Sequence, residues 1–250
     1  MINLIKKILL NLYLWPMFFV ATIISLIFFP FFVLFFIIIG KRKDSAIRLS
    51  ISVYGWILVK VLPFFAPVKV YYKGKKFPKP CIFVANHCSS IDPYLFGALM
   101  IDGAFISTWP FKIPVYGFFM KIAQYINATE GWDSILQQGK DLLNKGANLI
   151  IWPEGHRSRT GKLGVFKKGA FAISVETGYP IVPVCIIGSG KLMPPGKLLL
   201  TPSRIKLIVL DPIYPEPDDD KQMAVKKLRK KVFDVLKEAL ENYNLNESNN

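Results

Sequence analysis

Two short stretches of this 250-residue chain hold the side chains best suited to moving a proton and holding an anion. The first, Asn86 to Pro93, reads NHCSSIDP and follows the apolar run CIFVA. It contains one of only 2 histidines in the chain, and an aspartate stands at the fifth place after it. An imidazole that donates one ring nitrogen to a carboxylate keeps the other free to take a proton, which is what a general base needs. The same residues also suit an ordinary turn. Asp92 before Pro93 is a helix-start signal, with the aspartate as N-cap and the proline at the first helical position. His87 then stands just past a strand end, and the turn to Asp92 can fold the carboxylate back to the imidazole.

The second stretch, LIIWPEGHRSRTGKLGVFKKGA from Leu149 to Ala170, again places polar residues after an apolar strand: Glu154, Gly155, His156, Arg157, Ser158 and Arg159. Arginine forks suit phosphate and a glycine allows close backbone approach, although a basic surface loop would read the same way. Lys167, Lys168 and Gly169 open the next helix, whose N-terminus is a further place for an anion. A zinc site from His87, Cys88 and His156 would need adjacent residues to converge, so no metal is expected. IIGSGK at Ile186 to Lys191 matches neither a nucleophile elbow nor a phosphate loop.

The elements that must position these groups alternate. Strands are expected at Val68–Tyr72, Cys81–Ala85, Ala104–Ser107, Ala147–Trp152, Ile181–Ile187 and Ile205–Leu210. Helices are expected at Pro93–Met100, Val115–Ala123, Asp133–Asn144, Lys168–Thr177 and Lys221–Asn242. This pattern predicts an α/β fold with a largely parallel sheet flanked by helices, whose ligands bind at the carboxyl ends of the strands.

The chain divides at about residue 66, with the α/β domain over 67–250. From Ile8 to Gly40 there is no charged residue, so 1–66 is expected to be a hydrophobic, membrane-embedded helical segment of two helices. As one straight helix the uncharged run would reach about 48 Å against a hydrocarbon core of roughly 30 Å. Pro16 and Pro30 offer bends, and lysines or arginines flank both ends, so a re-entrant or half-embedded hairpin competes with one tilted span. Leu49–Val59 is too short to cross alone and reads as an interfacial or membrane-buried helix. A net charge of +15 on a chain that is 52% hydrophobic suggests an anionic bilayer surface as partner, not nucleic acid. Three cysteines without C-x-x-C spacing indicate no disulfide framework and fit a reducing compartment.

NHCSSIDP, WPEGHRSR, FKKGA and GYPIVPV, in that order, resemble the motifs of the glycerophospholipid acyltransferases, in particular the bacterial lysophosphatidic acid (1-acylglycerol-3-phosphate) acyltransferases, from about Val68 to Pro215. The resemblance implies transfer of a fatty acyl group from acyl-ACP or acyl-CoA to the free hydroxyl of a lysolipid, with no bound cofactor. It implies His87 as base, Asp92 as its orienting partner, and Glu154, Gly155 and Arg157 as acceptor-binding residues. Tyr179, Pro180 and Pro183 would be structural or line the acyl-donor site. It also implies an inner-membrane protein acting at the cytoplasmic face. The second motif departs from the pattern: Ile113, Pro114 and Gly117 are kept, but Ser107 or Thr108 and Glu130 stand where cations are usual, leaving Lys112 as a substitute. That departure keeps open a lysolipid acceptor without phosphate, such as a lyso-amino-acid lipid. Outside catalysis, a silent lipid-binding protein is the rival reading.

Overall fold

The computed structural model describes residues 2–62, 65–74 and 76–248. A first helix, α1 (Ile2–Ile38), runs through Pro16 and Pro30 without reversing. The reversal comes afterwards. Gly40, at φ +85°, closes the helix as Gly40 N–H donates to Ile37 O (2.9 Å) and Lys41 N–H to Phe36 O (2.9 Å). The chain then returns as α2 (Lys43–Trp56), which continues into a π-helical turn, Ile57–Val61. α1 and α2 thus pair as a helical hairpin, and the uncharged run itself holds no reversal.

α1 is apolar all round, yet one stripe faces protein. Asn11, Leu14, Ala21 and Ser25 are buried, while Leu9, Leu12, Phe19, Ile23, Ile27 and Leu34 are exposed. Asn11 bonds to Leu200 of the α/β domain, and 18 residues on the Phe29 ring packs edge-on against Phe119 at 4.9 Å. About 27 Å of the helix thus lies along the domain, at 1.5 Å per residue.

The sheet has seven strands in the order β1 (Val68–Tyr72), β7 (Ile205–Val209), β6 (Ile181–Ile187), β2 (Ile82–Ala85), β5 (Asn148–Ile151), β3 (Gly103–Ser107) and β4 (Ile126–Asn127). Among the described residues, the β6–β7 pairing is antiparallel and the other strand pairings are parallel. Side-chain alternation divides the core. Ile82, Val84, Leu149 and Ile181 face a layer that includes Leu143, Phe171, Ile173, Leu228 and Val232, from α5 (Trp132–Asn144), α6 (Gly169–Thr177) and α8 (Lys221–Ser248). Phe83, Ala85, Ile150 and Val182 face the other layer, with Leu14, Leu58 and Leu95 from α1, the π-helical turn and α3 (Asp92–Leu95). Burial on both faces is why these strands read as unbroken apolar runs.

Two features tie α2 into the domain, where an interfacial helix was expected. Arg48 is fully buried and ion-pairs with Asp44 (3.2 Å) and with Asp102 ahead of β3, and it donates to Ala123 O (3.3 Å). Gly55 meets Gly97 backbone to backbone, just beyond α3, so closely that a Cβ on Gly97 would collide with Gly55 C and Trp56 N. Gly97→Ala is expected to cost about 1–3 kcal/mol through this collision. A thermal melt of the variant beside the wild type checks it, and an unchanged midpoint rejects the close crossing.

Candidate active site

The connection from β2 leaves the sheet toward β3, passing over β5, whereas the connection from β5 leaves the opposite way toward β6. Chain divergence of this kind opens a crevice at the carboxyl ends of the two strands. The turn after β2 and the loop after β5 both lie there, and they carry the two polar stretches.

His87 Nδ1 and Asp92 Oδ2 are 2.8 Å apart. Asp92 is 0% exposed, and the same oxygen accepts the backbone N–H groups of Cys88 (2.8 Å) and Ser89 (2.9 Å). The aspartate is the first residue of α3, not its N-cap, and its side chain closes the turn behind it instead of capping the helix ahead. Three bonds to one oxygen fix its position. With Nδ1–H committed to Asp92, the lone pair of Nε2 is left for a proton. The His87 side chain keeps 17% exposure, enough for a substrate to reach it. Cys88, its neighbour, is no rival nucleophile: burial, reinforced by the Asp92 charge, pushes its thiol up to about 11, so it stays protonated at neutral pH.

The imidazole is stacked on Trp152, ring centroids 4.9 Å apart, and the indole is itself stacked on Phe105. This aromatic backing was not singled out from sequence, where tryptophan looked like the end of an apolar strand. An indole face next to an imidazole favours the cation that forms when the base takes a proton.

Glu154 is 2% exposed. Its Oε1 accepts the backbone N–H of His87 (3.1 Å) and its Oε2 that of Gly164 (2.8 Å). Both oxygens thus accept backbone N–H groups, and Glu154 clamps the His87 turn to the following loop. Ser158 N–H donates to His87 O (2.7 Å) and completes the same tie. Glu154→Gln would set an amide N–H₂ against one of these donors. The variant is expected to lose about tenfold or more in turnover with a lowered melting temperature, since a stranded buried polar group costs about 1–3 kcal/mol. Kinetics with a melting curve test this, and wild-type values for both would remove the clamp role.

Gly155, at φ +72°, makes the turn that leads into the loop, with Lys167 Nζ lying close against it. Beyond it, a cavity of about 350 Å³ is lined by Glu154, His156, Arg157, Arg159, Lys162 and Gly164 among others. Among the described residues, the side chains of Arg157, Arg159 and Lys162 have no ion-pair partner. Sequence reasoning selected Arg157 but not Lys162, which lies beyond the motif and gives no local signal.

The remaining candidates lie elsewhere. Lys112 ends a 3₁₀ turn after β3, exposed, and does not line the cavity. Tyr179 and Pro180 precede β6 and so sit at the amino edge of the parallel strands, opposite His87. Tyr179 O accepts Ser174 Oγ (2.6 Å) and Pro180 O accepts Ile82 N–H (2.9 Å). Pro183 pairs with Val84 in mid-strand, and its carbonyl accepts Leu210 N–H (3.0 Å). These contacts are architectural, and Tyr179 and Pro180 stand away from the reacting end of the sheet. No group of three or more His, Cys, Asp or Glu side chains suited to a metal ion occurs among the described residues.

Known proteins share these features. The acyltransferase family model matches residues 69–187. A chloroplastic 1-acyl-sn-glycerol-3-phosphate acyltransferase of Brassica napus is 36% identical over 169 residues, which are 64% of this chain and 48% of that protein. An enzyme of the same name from Pseudomonas aeruginosa is 24% identical over 152 residues, 58% of this chain and 59% of its own. The chain thus spans about half the length of the plastid relative. The crystal structure of the 1-acyl-sn-glycerophosphate (LPA) acyltransferase PlsC from Thermotoga maritima matches with a TM-score of 0.73 and 28% identity, covering 97% of this chain and 98% of that one. With its paired His87 and Asp92 inside the matched segment, the chain is similar to the acyltransferases over residues 69–187 and shares its fold with the PlsC structure.

Proposed function

We propose that the protein transfers a fatty acyl group from an acyl thioester to the free hydroxyl of 1-acylglycerol-3-phosphate, giving phosphatidic acid. The observation that carries this reading is the 2.8 Å contact of His87 Nδ1 with the buried Asp92, which leaves Nε2 free at the mouth of the crevice. The acceptor hydroxyl gives its proton to Nε2 as its oxygen attacks the thioester carbonyl. The tetrahedral intermediate then expels the thiolate, which recovers the proton from the imidazolium. A thiolate leaves readily, so this route needs neither an enzyme nucleophile nor a metal. The donor is acyl-ACP or acyl-CoA, both anionic and both suited to a chain of charge +15.

A phosphate-bearing acceptor is favoured over a phosphate-free one by Arg157, Arg159 and Lys162, which line the cavity after β5 and have no ion-pair partner among the described residues. Arg157→Ala with Lys162→Ala is expected to raise KM for lysophosphatidic acid at least tenfold, about 1.4 kcal/mol or more, with a smaller change in kcat. Membrane attachment in this reading is to one leaflet, on the cytoplasmic side, with the outer face of α1 in the lipid and its buried stripe on the domain.

The test is purified protein in lipid with radiolabelled acyl thioesters and a panel of lysolipids. Transfer to lysophosphatidic acid in preference to phosphate-free acceptors is expected. A preference for phosphate-free acceptors would redirect the reading to another lysolipid, and transfer to none would leave a lipid-binding protein.

A further inference from the structure

The loop Met193–Leu200 between α7 (Ser189–Leu192) and β7 is built as a rigid projection. Its base is closed by Thr201 N–H donating to Leu192 O (2.8 Å), and both Leu192 and Leu200 are fully buried. Its tip is a turn of Pro194, Pro195, Gly196 and Lys197, with Lys197 N–H donating to Pro194 O (3.0 Å) and Gly196 at φ +77°. Proline at the second place and a left-handed glycine at the third are the marks of a type II turn. Directly after this stiff turn come Leu198 and Leu199, 73% and 43% exposed.

Two hydrogen-bonded anchors decide where that tip stands. Asn11, buried within the apolar α1, donates to Leu200 O (2.9 Å) and accepts from Leu200 N–H (2.8 Å), a reciprocal pair. It sets the tip beside the exposed Leu9 and Leu12 of α1, at the helix end that carries Lys6 and Lys7. At the other end of the loop, Met193 O accepts Ser89 Oγ (2.8 Å), and Ser89 N–H is one of the bonds that hold Asp92.

We propose that Met193–Leu200 is a second membrane wedge, inserted beside α1 into an anionic leaflet, and that it fixes the height of the catalytic turn above the lipid headgroups. Adjacent exposed leucines on a fixed turn, continuous with the bare face of α1 and collared by Lys6, Lys7 and Lys197, match the apolar-plus-basic pattern of an interfacial anchor. An acidic carrier protein would call for a cluster of cations here, whereas the projection carries one lysine followed by two exposed leucines. The inference rests on the one-leaflet attachment proposed above.

Leu198→Cys carrying an environment-sensitive fluorophore tests it, with Leu12→Cys on α1 and Glu241→Cys on α8 labelled for comparison. The three native thiols are buried, and burial holds those of Cys88 and Cys185 up at about 11 and about 12, so labelling falls on the introduced cysteine. With vesicles containing phosphatidylglycerol, the labels at 12 and 198 are expected to shift to the blue and to be quenched by brominated acyl chains, and the label at 241 to do neither. Lipid burial at 12 without burial at 198 overturns the wedge and leaves the α1 attachment standing. Burial at neither position overturns both. A shift at 198 that needs another protein and not vesicles assigns the surface to a protein partner and also overturns the wedge.

Function gives a second readout. Leu198→Asp with Leu199→Asp is expected to raise KM for vesicle-borne acceptor about tenfold or more and to leave turnover of a short-chain, monomerically dispersed acceptor within about twofold. Equal losses on both acceptors reject the proposal.

Discussion

His87→Ala is expected to transfer acyl groups at no more than about a thousandth of the wild-type rate while melting at the wild-type temperature, since positioned general bases contribute about 10²–10⁴-fold. The imidazole lies partly open at the crevice mouth, and Asp92 keeps its bonds from Cys88 and Ser89 when the ring is removed. Loss of rate without loss of fold is therefore the signature. Asp92→Asn should follow it more closely in rate than in stability. The amide oxygen can take the place of Oδ2 and accept from Cys88, Ser89 and His87 Nδ1–H, but a neutral amide no longer stabilises the imidazolium that forms when Nε2 takes a proton. Single-turnover acylation of lysophosphatidic acid by the two variants, beside melting curves, measures this. An His87→Ala protein retaining a tenth of the wild-type rate, or about 10²-fold more than expected, excludes the histidine as base.

The second large effect concerns folding. Arg48→Met is expected to cost about 3 kcal/mol and to lower the melting temperature by roughly 6–12 °C, because it leaves Asp102 without its cation and Asp44 with the exposed Arg42 alone. Arg48 is fully buried, and its partners are 12% and 17% exposed, so the carboxylates gain only partial relief from water. Adding Asp102→Leu should recover part of the loss, since an apolar replacement strands less charge. A melting midpoint for Arg48→Met within about 2 °C of the wild type removes the cluster as a structural tie.

The same cluster carries a pH signature. Burial works to raise the Asp44 carboxyl, and the Arg48 guanidinium outweighs it, so its folded-state pKa lies below the usual 3.8. A lowered folded-state value contributes stability that is present above the unfolded pKa and fades as pH falls through the folded one. Wild type should thus lose stability relative to Arg48→Met only below about pH 4, as read from acid-unfolding curves of the two proteins.

What the sequence disclosed depended on whether a signal was local. β1 and β6 fall at the expected residues because each is an apolar run bounded by proline or glycine. The contact of His87 with Asp92 was legible because the four residues of turn between them can fold the carboxylate back to the imidazole. Glu154 was visible as an acid in a motif, but its role was not, because its partners are a backbone N–H 67 residues earlier and another 10 residues later. Arg48 and Asp102, 54 residues apart, gave no sign of each other. The ending of α2 looked interfacial because the glycine crossing that buries it appears in sequence only as two unremarkable glycines. Tyr179 and Pro180, read from their motif as structural or lining the acyl-donor site, make contacts of the first, structural kind at the far edge of the sheet.

The Gly55–Gly97 crossing also bears on how a water-soluble form of this protein could be made. Trimming the greasy front of the chain after residue 66 would remove the wall on which α3 rests, and the Arg48 tie with it. Repainting is the better route. Polar residues at Leu9, Leu12, Ile23, Ile27 and Leu34 would change only the side that faces away, while Asn11, Leu14, Ala21 and Ser25 stay as they are. The helix that looks most dispensable is one whose outer half can be rewritten and whose inner half cannot.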